Sequence, residues 1–157
     1  RAGQGHPGAY RVFQPHYNLA ERTQFEGAVE ELCLAHGLGV ITYFSLAAGY
    51  LTGKYRDLAD VAGRAREKSA GSYITPRNLA LLDVIEAVAR DHGATMAQVA
   101  IAWLMNRPSV TAPIASATSL PQLEEILVAS EILLSAEDLL QLDEASRPDG
   151  SETMAGA

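Results

Sequence analysis

The sequence predicts an α/β fold in which parallel strands are connected by helices, and two observations predict it. First, short apolar runs rich in β-branched residues alternate along the chain with segments whose apolar residues recur about every 3.6 positions. Second, the helical segments begin or end at capping residues, prolines or glycines. Only three strands are predicted, however, and so small a parallel sheet leaves its edges and one face uncovered. We therefore expect a further segment to complete the sheet.

The first part of the chain contains two predicted strands around one predicted helix. Residues 11–14 form a short strand that Pro15 stops. Residues 21–36 form an amphipathic helix, which glycines end. Its predicted apolar stripe consists of Phe25, Val29, Leu32 and Cys33. Residues 39–43 then form an apolar strand of the buried type.

A long segment with several glycines follows the second strand, from Phe44 to about Thr75. Segments of this length without secondary structure are commonly functional or disordered in compact domains. The charged stretch within it, residues 57–68, is interpreted as a solvated face. We therefore predict a functional loop at the end of the second strand.

Two adjacent helices come next. Thr75 caps the first, with Pro76 at its first helical position, and Thr95 with Gln98 forms a capping box that opens the second. The predicted buried residues of the first helix are Leu81, Val84, Ile85 and Val88. Those of the second are Met96, Val99, Ala100, Trp103 and Leu104.

A third strand and two further helices complete the prediction. The strand covers residues 110–115. One helix begins at a capping box formed by Ser119 and Gln122, and the last begins near Ser135 and buries two leucines, Leu139 and Leu142. Residues 148–157 show no apolar pattern, and we expect this tail to be frayed.

Composition and charge narrow the class of protein. Hydrophobic residues make up 48% and charged residues 20% of the 157 positions, which is typical of a globular domain. The formal net charge is −7, and nucleic-acid binders usually present a basic face instead. No apolar run approaches the ~20 residues that a membrane-spanning helix needs. We therefore expect neither a nucleic acid nor a membrane as partner.

The cysteine, the histidines and the N-terminus add three expectations. A single cysteine, Cys33, excludes an internal disulfide and favours a reducing compartment, which we take to be the cytoplasm. The four histidines lack the spacing of metal ligands, so no metal site is predicted. The chain begins at Arg1 with neither an initiator Met nor a signal peptide, which we interpret as a start within a longer protein or as processing.

Three stretches carry motifs that occur together in one family of enzymes. The first is Phe-Gln-Pro-His-Tyr-Asn-Leu at residues 13–19, followed by an arginine and a glutamate. The second is Gly-Val-Ile-Thr-Tyr-Phe-Ser-Leu-Ala-Ala-Gly-Tyr-Leu-Thr-Gly-Lys-Tyr at residues 39–55. The third joins Ala-Gln-Val-Ala-Ile-Ala-Trp-Leu at residues 97–104 to Pro-Ile-Ala-Ser-Ala-Thr-Ser-Leu-Pro-Gln-Leu-Glu-Glu at residues 113–125. In this order and spacing they resemble the aldo-keto reductase family, over residues from about 11 to 145.

The resemblance implies a larger fold than the residues alone predict. The family fold is a (β/α)₈ barrel, and the motifs resemble those of its sixth, seventh and eighth strands. The chain is then expected to be the C-terminal half of a TIM barrel, with parallel strands six to eight and their helices. Residues 1–157 are accordingly expected to form a partial aldo-keto reductase domain.

The resemblance also implies an activity for the complete protein, which is hydride transfer between NADPH and an aldehyde or ketone. The family's catalytic tyrosine, lysine, aspartate and histidine precede the sixth strand, so no catalytic residue is assigned and the chain alone is expected to be inactive. The implied partners are a nicotinamide dinucleotide and a small carbonyl substrate. Self-association through the exposed edges of the small sheet is expected from the predicted strands themselves. The alternative is a non-catalytic module that binds a nucleotide or pairs as a half-barrel with another chain.

The same resemblance implies the residues that hold the cofactor. Tyr43 stacks on the nicotinamide ring, an arrangement that contributes roughly 0.5–1.5 kcal/mol between aromatic groups. Gln14 binds the nicotinamide carboxamide, because a side-chain amide offers both a donor and an acceptor. The backbone of Ser45, Leu46 and Gly49 follows the pyrophosphate, which small residues allow to approach closely.

The adenosine end is implied to bind at the third strand. Lys54 approaches a phosphate, and Ser116, Ala117 and Gln122 lie where the strand meets a helix N-terminus, which favours anions. Glu125 holds the adenosine, and NADPH is the expected cofactor. NADH remains an alternative, since a serine and a glutamine stand where other branches carry Lys and Arg against the 2′-phosphate.

A structural explanation stays open for each of these residues. Tyr43 and Gln14 are alternatively polar residues at the rim of the sheet, and Lys54 is alternatively a solvated lysine of the loop. Ser119 and Gln122 alternatively serve only to cap a helix.

Overall fold

The computed structural model describes residues 10–63 and 67–148 and shows an α/β fold built on a small parallel sheet. The three strands are β1 (Val12–Phe13), β2 (Gly39–Thr42) and β3 (Ala112–Pro113), in the order β1-β2-β3. Both pairings are parallel, as predicted, with Phe13 opposite Val40 and Thr42 opposite Pro113.

Seven helices surround the sheet within the described ranges. Their bounds are α1 (Ala28–Ala35), α2 (Leu58–Val61), α3 (Glu67–Gly71), α4 (Pro76–Asp91), α5 (Met96–Met105), α6 (Leu120–Val128) and α7 (Ala136–Ala145). Two 3₁₀ segments, Ala47–Thr52 and Ala129–Glu131, lie between them. No helix in these ranges combines the length and apolar character that crossing a bilayer requires.

The central strand is buried and the two outer strands are exposed. Val40 and Thr42, which share one face of β2, have no exposed surface, and Gly39 and Ile41 on the other face are half-buried. In β1, by contrast, Val12 is 51% exposed and Phe13 is 39% exposed. The outer edges of the sheet are therefore open over the described residues.

Pairing between β1 and β2 continues beyond Pro15, which corrects the expectation that this proline stops the strand. The Tyr43 amide donates to the Pro15 carbonyl at 3.0 Å, and His16 forms a parallel bridge with Tyr43. Proline lacks only the donor, so its carbonyl still joins the ladder on an outer strand.

The helix predicted over residues 21–36 is shorter than expected. α1 begins at Ala28, because Gly27 has a φ of 87° and interrupts the turns that precede it. Phe25 and Cys33 of the predicted stripe are buried, but Val29 and Leu32 are 39% and 54% exposed. The prediction that these two residues are core residues is wrong for this chain, since nothing described covers that side of α1.

The helices after Thr75 follow the prediction closely. The Thr75 hydroxyl accepts from the Asn78 amide, and the Thr95–Gln98 capping box forms in both directions. Leu81, Ile85 and Val88 of α4 are buried, as are the predicted residues of α5 except the half-buried Met96. Leu142 of α7 is fully buried and Leu139 is partly buried. α4 packs against α5 and α7, and Trp103 lies at the centre of this core.

The long segment after β2 is more regular than a loop. It contains a 3₁₀ segment and the short helices α2 and α3, so the prediction of a structureless stretch is wrong. Asp57 and Asp60, within the charged stretch interpreted as a solvated face, form a capping box at α2. The predicted frayed tail lies outside the described residues except for Pro148, as does His6.

Candidate functional site

The carboxyl ends of the three strands bring the predicted cofactor residues to one edge of the sheet. Gln14 directly follows β1, Tyr43 directly follows β2, and Ser116 comes three residues after β3. Since the strands are parallel and adjacent, these ends share one side of the molecule. In open and closed α/β sheets, this is the edge at which ligands bind.

Tyr43 is held by the backbone ladder and by two neighbouring rings. Its amide donates to Pro15, and its ring centroid lies 5.2 Å from that of His16 and 5.5 Å from that of Phe44. The ring is nevertheless 38% exposed. Gln14 beside it is exposed, so both side chains can meet a ligand at this edge.

Ser45 joins the segment after β2 to the end of β3. Its hydroxyl is 1% exposed and donates to the carbonyl of Ile114 at 2.7 Å. The side chain therefore acts as a tether between strand ends, and only the backbone of Ser45 is placed to meet a ligand.

The backbone that follows Tyr43 takes an unusual path. Phe44, Ala47 and Ala48 have φ values of 59°, 49° and 57°, and Gly49 has a φ of 91°. Left-handed geometry in non-glycine residues costs about 1–3 kcal/mol each and is found where a binding surface needs it. The amide of Gly49 is engaged with the carbonyl of Leu46 at 2.8 Å.

The amides of Ser45 and Leu46, in contrast, have no backbone acceptor among the described residues. A pyrophosphate would therefore meet these two N–H groups rather than that of Gly49. Gly49 was predicted to let a pyrophosphate approach the backbone closely. This role does not require its N–H, because the absence of a side chain leaves space for the ligand.

Lys54 uses that space. A Cβ on Gly49 would lie 3.3 Å from the Nζ atom of Lys54, so glycine allows the lysine to fold back over the segment. The ammonium also lies 4.9 Å from the centre of the Tyr55 ring, and the side chain stays exposed. Lys54 is thus placed beside the segment predicted to bind pyrophosphate.

The junction of β3 and α6 presents polar groups, most of them exposed. Ser116 is exposed and Ala117 is half-buried. The Oε1 atom of Gln122 accepts from both the amide and the hydroxyl of Thr118 at 2.9 Å. The predicted capping box is therefore only half formed, because Gln122 reaches Thr118 instead of the backbone of Ser119.

Glu125 lies one turn further along α6 and is half-buried. Its backbone carbonyl accepts from Gln98 at 3.1 Å, which ties α6 to α5. The structure places Glu125 on the same helix as Gln122 and well beyond the strand ends.

A hydrogen-bonded cluster beside Tyr43 was missed by the sequence analysis. The Nε2 atom of His16 lies 2.8 Å from the hydroxyl of Tyr73, and the Tyr73 ring stacks on that of Tyr50 at 5.9 Å. The two-residue period of a strand groups His16 with Gln14, which was the available signal. Tyr73 could not be found in this way, because it lies 57 residues away along the chain.

Burial dominates the electrostatics of this cluster. It lowers the pKa of His16 below the ordinary 6.5, although the charge of Glu21 acts in the opposite direction. Burial also raises the pKa of Tyr73, and it raises the pKa of Tyr50 to about 12. The imidazole and both phenols are therefore neutral near neutral pH.

Asn18 has the structural role that its local sequence indicated. Its Oδ1 atom accepts from the amides of Ala20 and Glu21 at 2.9 and 3.0 Å, and its Nδ2 atom donates to the Phe44 carbonyl at 2.9 Å. It fixes the turn after β1 against the segment after β2.

Comparison with known proteins identifies the family of the chain. The sequence model of the Aldo/keto reductase family matches residues 9–147. An L-glyceraldehyde 3-phosphate reductase of Escherichia coli O157:H7 is 32% identical over 140 residues, which cover 85% of this chain and 40% of that protein. An uncharacterized oxidoreductase of Mycobacterium tuberculosis is 39% identical over 136 residues, covering 85% of this chain and 41% of the relative.

A probable voltage-gated potassium channel subunit beta of Arabidopsis thaliana is 33% identical over 132 residues, covering 78% of this chain and 39% of that subunit. The chain thus spans about two fifths of the length of the curated relatives it matches. The family match extends over nearly all the described residues, through all three strands and the site at their ends. The chain therefore belongs to the aldo/keto reductase family.

Proposed function

We propose that this chain is the cofactor-binding half of an NAD(P)H-dependent aldo-keto reductase that reduces aldehydes or ketones. The observation that carries the proposal is the convergence of Gln14, Tyr43 and Ser116 at the carboxyl ends of three adjacent parallel strands. An amide, an aromatic ring and a helix start are the groups that a nicotinamide dinucleotide needs along its length.

The residues present fit such a cofactor. Tyr43 offers an exposed ring for the nicotinamide, and Gln14 offers its amide beside it. The amides of Ser45 and Leu46 and the ammonium of Lys54 supply donors and charge for a pyrophosphate. When bound, the cofactor supplies the hydride, and these residues orient and hold it.

The adenosine end would bind along the first turns of α6. Ser116, Ala117 and Gln122 lie at the strand–helix junction, and Glu125 follows on the helix. Serine and glutamine bind a phosphate through neutral hydrogen bonds, which are about half as strong as charge-assisted ones. NADPH is the proposed cofactor, and a small ratio between the affinities for NADPH and NADH is expected.

The catalytic groups of the complete protein are proposed to lie on a preceding half-barrel. The open edges of the sheet and the exposed side of α1 support this, because a closed barrel covers both. Residues 1–157 alone are expected to bind the cofactor without reducing a carbonyl. The buried, single Cys33 is consistent with a reducing compartment such as the cytoplasm.

Titration with NADPH, followed by calorimetry, tests the proposal. Saturable binding by the chain is expected, with Tyr43→Ala weakening it about fivefold through the loss of stacking and Tyr43→Phe leaving it within twofold. Tyr10→Ala is a matched control, since Tyr10 is 82% exposed and outside the site. Absence of saturable binding by the wild-type chain with both NADPH and NADH would overturn the proposal.

One observation favours a second candidate function. The relative from Arabidopsis thaliana is named a probable potassium channel subunit beta rather than an enzyme. The chain would then belong to a module that binds the dinucleotide without reducing a substrate. A longer protein that includes the preceding half-barrel separates the two functions, because only the enzyme oxidises NADPH when aldehydes are added.

A further inference from the structure

His16 lies at the end of β1 and contacts three aromatic rings beside the proposed cofactor site. Its ring centroid is 5.2 Å from Tyr43, 5.4 Å from Phe44 and 6.5 Å from Tyr73. Tyr73 belongs to the segment between α3 and α4, and its hydroxyl lies 2.8 Å from the Nε2 atom of His16. A single hydrogen bond therefore joins β1 to a distant part of the chain.

Asn18 presents a hydrogen-bond donor to the Nε2 atom of this histidine. The Oδ1 atom of Asn18 accepts from the backbone amides of Ala20 and Glu21. The other atom of the side-chain amide, Nδ2, therefore faces His16. This Nδ2 atom donates to the Phe44 carbonyl and lies 3.4 Å from the Nε2 atom of His16. An amide nitrogen has no lone pair to offer, so the tautomer that satisfies this contact has the lone pair on Nε2 and the ring proton on Nδ1. The Tyr73 hydroxyl is then the donor to Nε2.

Tyr73 connects this bond to the segment proposed to bind pyrophosphate. Its ring stacks on Tyr50 with an interplanar angle of 23°, and Tyr50 lies in the 3₁₀ segment that begins at Ala47. The carbonyl of Tyr73 also accepts from the side chain of Asn78 at 2.9 Å, which anchors it to α4. The rings of Tyr50, Tyr73, His16 and Tyr43 thus form one continuous row.

We propose that neutral His16 is a positioning residue, which holds the hydroxyl of Tyr73 and thereby keeps Tyr43 oriented for the nicotinamide. Protonation of Nε2 would turn it into a donor facing the Asn18 amide group, and two donors repel each other. The bond with Tyr73 must then reverse, with Nε2–H donating to the hydroxyl oxygen, while the repulsion from the Asn18 amide group displaces the imidazole and loosens the row of rings. The inference rests on the proposed function, because it assigns to Tyr43 the nicotinamide end of the cofactor.

The groups around His16 give the direction of the pH dependence. Glu21, in the turn after β1, is the charged neighbour and favours protonation, whereas burial opposes it and dominates. Tyr43 from the end of β2 and Tyr73 from the segment between α3 and α4 are the phenols that face His16, and burial raises the pKa of Tyr73. The imidazole is therefore neutral near neutral pH and protonates only below its ordinary value of 6.5.

Two ligands that differ in the nicotinamide ring test the inference. NADPH and 2′-phospho-ADP-ribose share the phosphates and adenosine, but only NADPH reaches Tyr43. Tyr73→Phe removes one hydroxyl and keeps the ring. It is expected to weaken NADPH affinity about fivefold, the value of one hydrogen bond, and to leave the affinity for 2′-phospho-ADP-ribose within twofold.

The His16 variants are a second test. His16→Ala is expected to have the same effect as Tyr73→Phe, whereas His16→Gln, which keeps an acceptor, is expected to restore part of the NADPH affinity. Tyr10→Phe is the matched control, since Tyr10 is 82% exposed.

Repeating both titrations between about pH 7.5 and about pH 5 tests the effect of protonating His16. The wild-type chain is expected to lose NADPH affinity relative to the shorter ligand in acid, and His16→Gln is expected to show no such loss. If the wild-type chain binds neither ligand, the proposed function fails and this inference with it. If it binds both, but Tyr73→Phe and His16→Ala weaken both equally or neither, the positioning role alone is wrong. Nitrogen NMR of His16 gives an independent answer, because a protonated Nε2 at neutral pH would also overturn the inference.

Discussion

The indole of Trp103 is fully buried, yet charged groups surround it. The guanidinium carbons of Arg22 and Arg107 lie 5.4 and 5.0 Å from the ring centre. The indole N–H donates to Asp143 at 2.8 Å, and Arg107 donates to both oxygens of the same carboxylate. One carboxylate of α7 therefore accepts from the indole of α5 and from the Nη1 atom of Arg107.

Replacing Asp143 tests the weight of this contact. Asp143→Ala leaves the indole N–H and a guanidinium without their acceptor and is expected to lower the free energy of unfolding by about 2 kcal/mol. Asp143→Asn keeps one acceptor and is expected to cost about half as much. Urea unfolding measures both, and equal losses for the two variants would contradict this account.

The hydroxyl of Tyr50 is buried and has no hydrogen-bond partner among the described residues. Leaving such a group unsatisfied costs about 1–3 kcal/mol. Tyr50→Phe is therefore expected to raise the free energy of unfolding by about 1 kcal/mol. Tyr73→Phe is the matched comparison and is expected to lower it, since that hydroxyl is bonded to His16. If the melting temperatures of both variants change in the same direction, the missing hydrogen bond of the Tyr50 hydroxyl does not determine the effect of Tyr50→Phe.

At the scale of the elements, Asp138 connects the start of α7 to the end of α4. Its Oδ2 atom accepts from the amide and hydroxyl of Ser135, the cap of α7, and lies 2.9 Å from the Nε2 atom of His92, the cap of α4. Burial by itself would raise the pKa of Asp138, but the hydrogen bonds from Ser135 and His92 overcome it and lower the pKa below 3.8.

Asp138 makes the free energy of unfolding depend on pH in the acid range. A carboxyl whose pKa is lowered by folding stabilises the fold above its unfolded value, and this contribution disappears as the pH falls through the lowered value. Acid unfolding of the wild-type chain is thus expected to include a loss below about pH 3.8. Asp138→Asn should remove that part and cost about 1 kcal/mol at neutral pH. If the free energy of unfolding falls by the same amount in acid for the wild-type chain and for Asp138→Asn, the assignment to Asp138 is wrong.

The elements also show what the sequence could predict. Local signals were sufficient for α4 and α5, because Thr75, Pro76 and the Thr95–Gln98 box act within one turn of the helix they start. The start of α1 was misplaced, since the interruption at Gly27 depends on a backbone angle that composition does not reveal. The bond between His16 and Tyr73 joins residues that only the folded chain brings together.

The strand ends lie between these cases. Three parallel strands in sequence were enough to expect Gln14, Tyr43 and Ser116 on one edge, and the structure places them there. Which groups at that edge are free was not predictable, because the hydroxyl of Ser45 is occupied by the carbonyl of Ile114. The exposure of Val29 and Leu32 was not predictable either, because the apolar period of α1 does not show which other segments pack against it.

At the scale of the whole molecule, apolar side chains are exposed on the two outer strands and on two helices. In and next to β1 and on α1 they include Tyr10, Val12, Phe13, Val29 and Leu32, and after β3 and on α6 they include Ile114, Leu120, Leu123, Leu127 and Val128. Soluble monomers rarely expose apolar patches larger than a few hundred Å². Open edges and apolar helix faces are also the parts of a fold that associate with another chain.

The isolated chain is therefore expected to self-associate with increasing concentration. Sedimentation velocity should show a mass that rises with concentration, and Leu123→Ser with Leu127→Ser should reduce this without lowering the melting temperature. Leu82→Ser is the contrasting variant, because Leu82 is fully buried and its replacement should unfold the chain. A chain that stays monomeric at every concentration would show that these surfaces are compatible with water.

The run of left-handed residues after β2 has a consequence for how quickly a ligand is captured. Phe44, Ala47 and Ala48 adopt this geometry within a segment that its own backbone holds, since the Ala47 amide donates to the Phe44 carbonyl at 2.7 Å and the Gly49 amide donates to the Leu46 carbonyl at 2.8 Å. When a binding segment already has its bound conformation, binding a ligand requires no rearrangement of the backbone and no loss of its conformational entropy. Association with this segment should thus be governed by encounter, and not by rearrangement of the polypeptide.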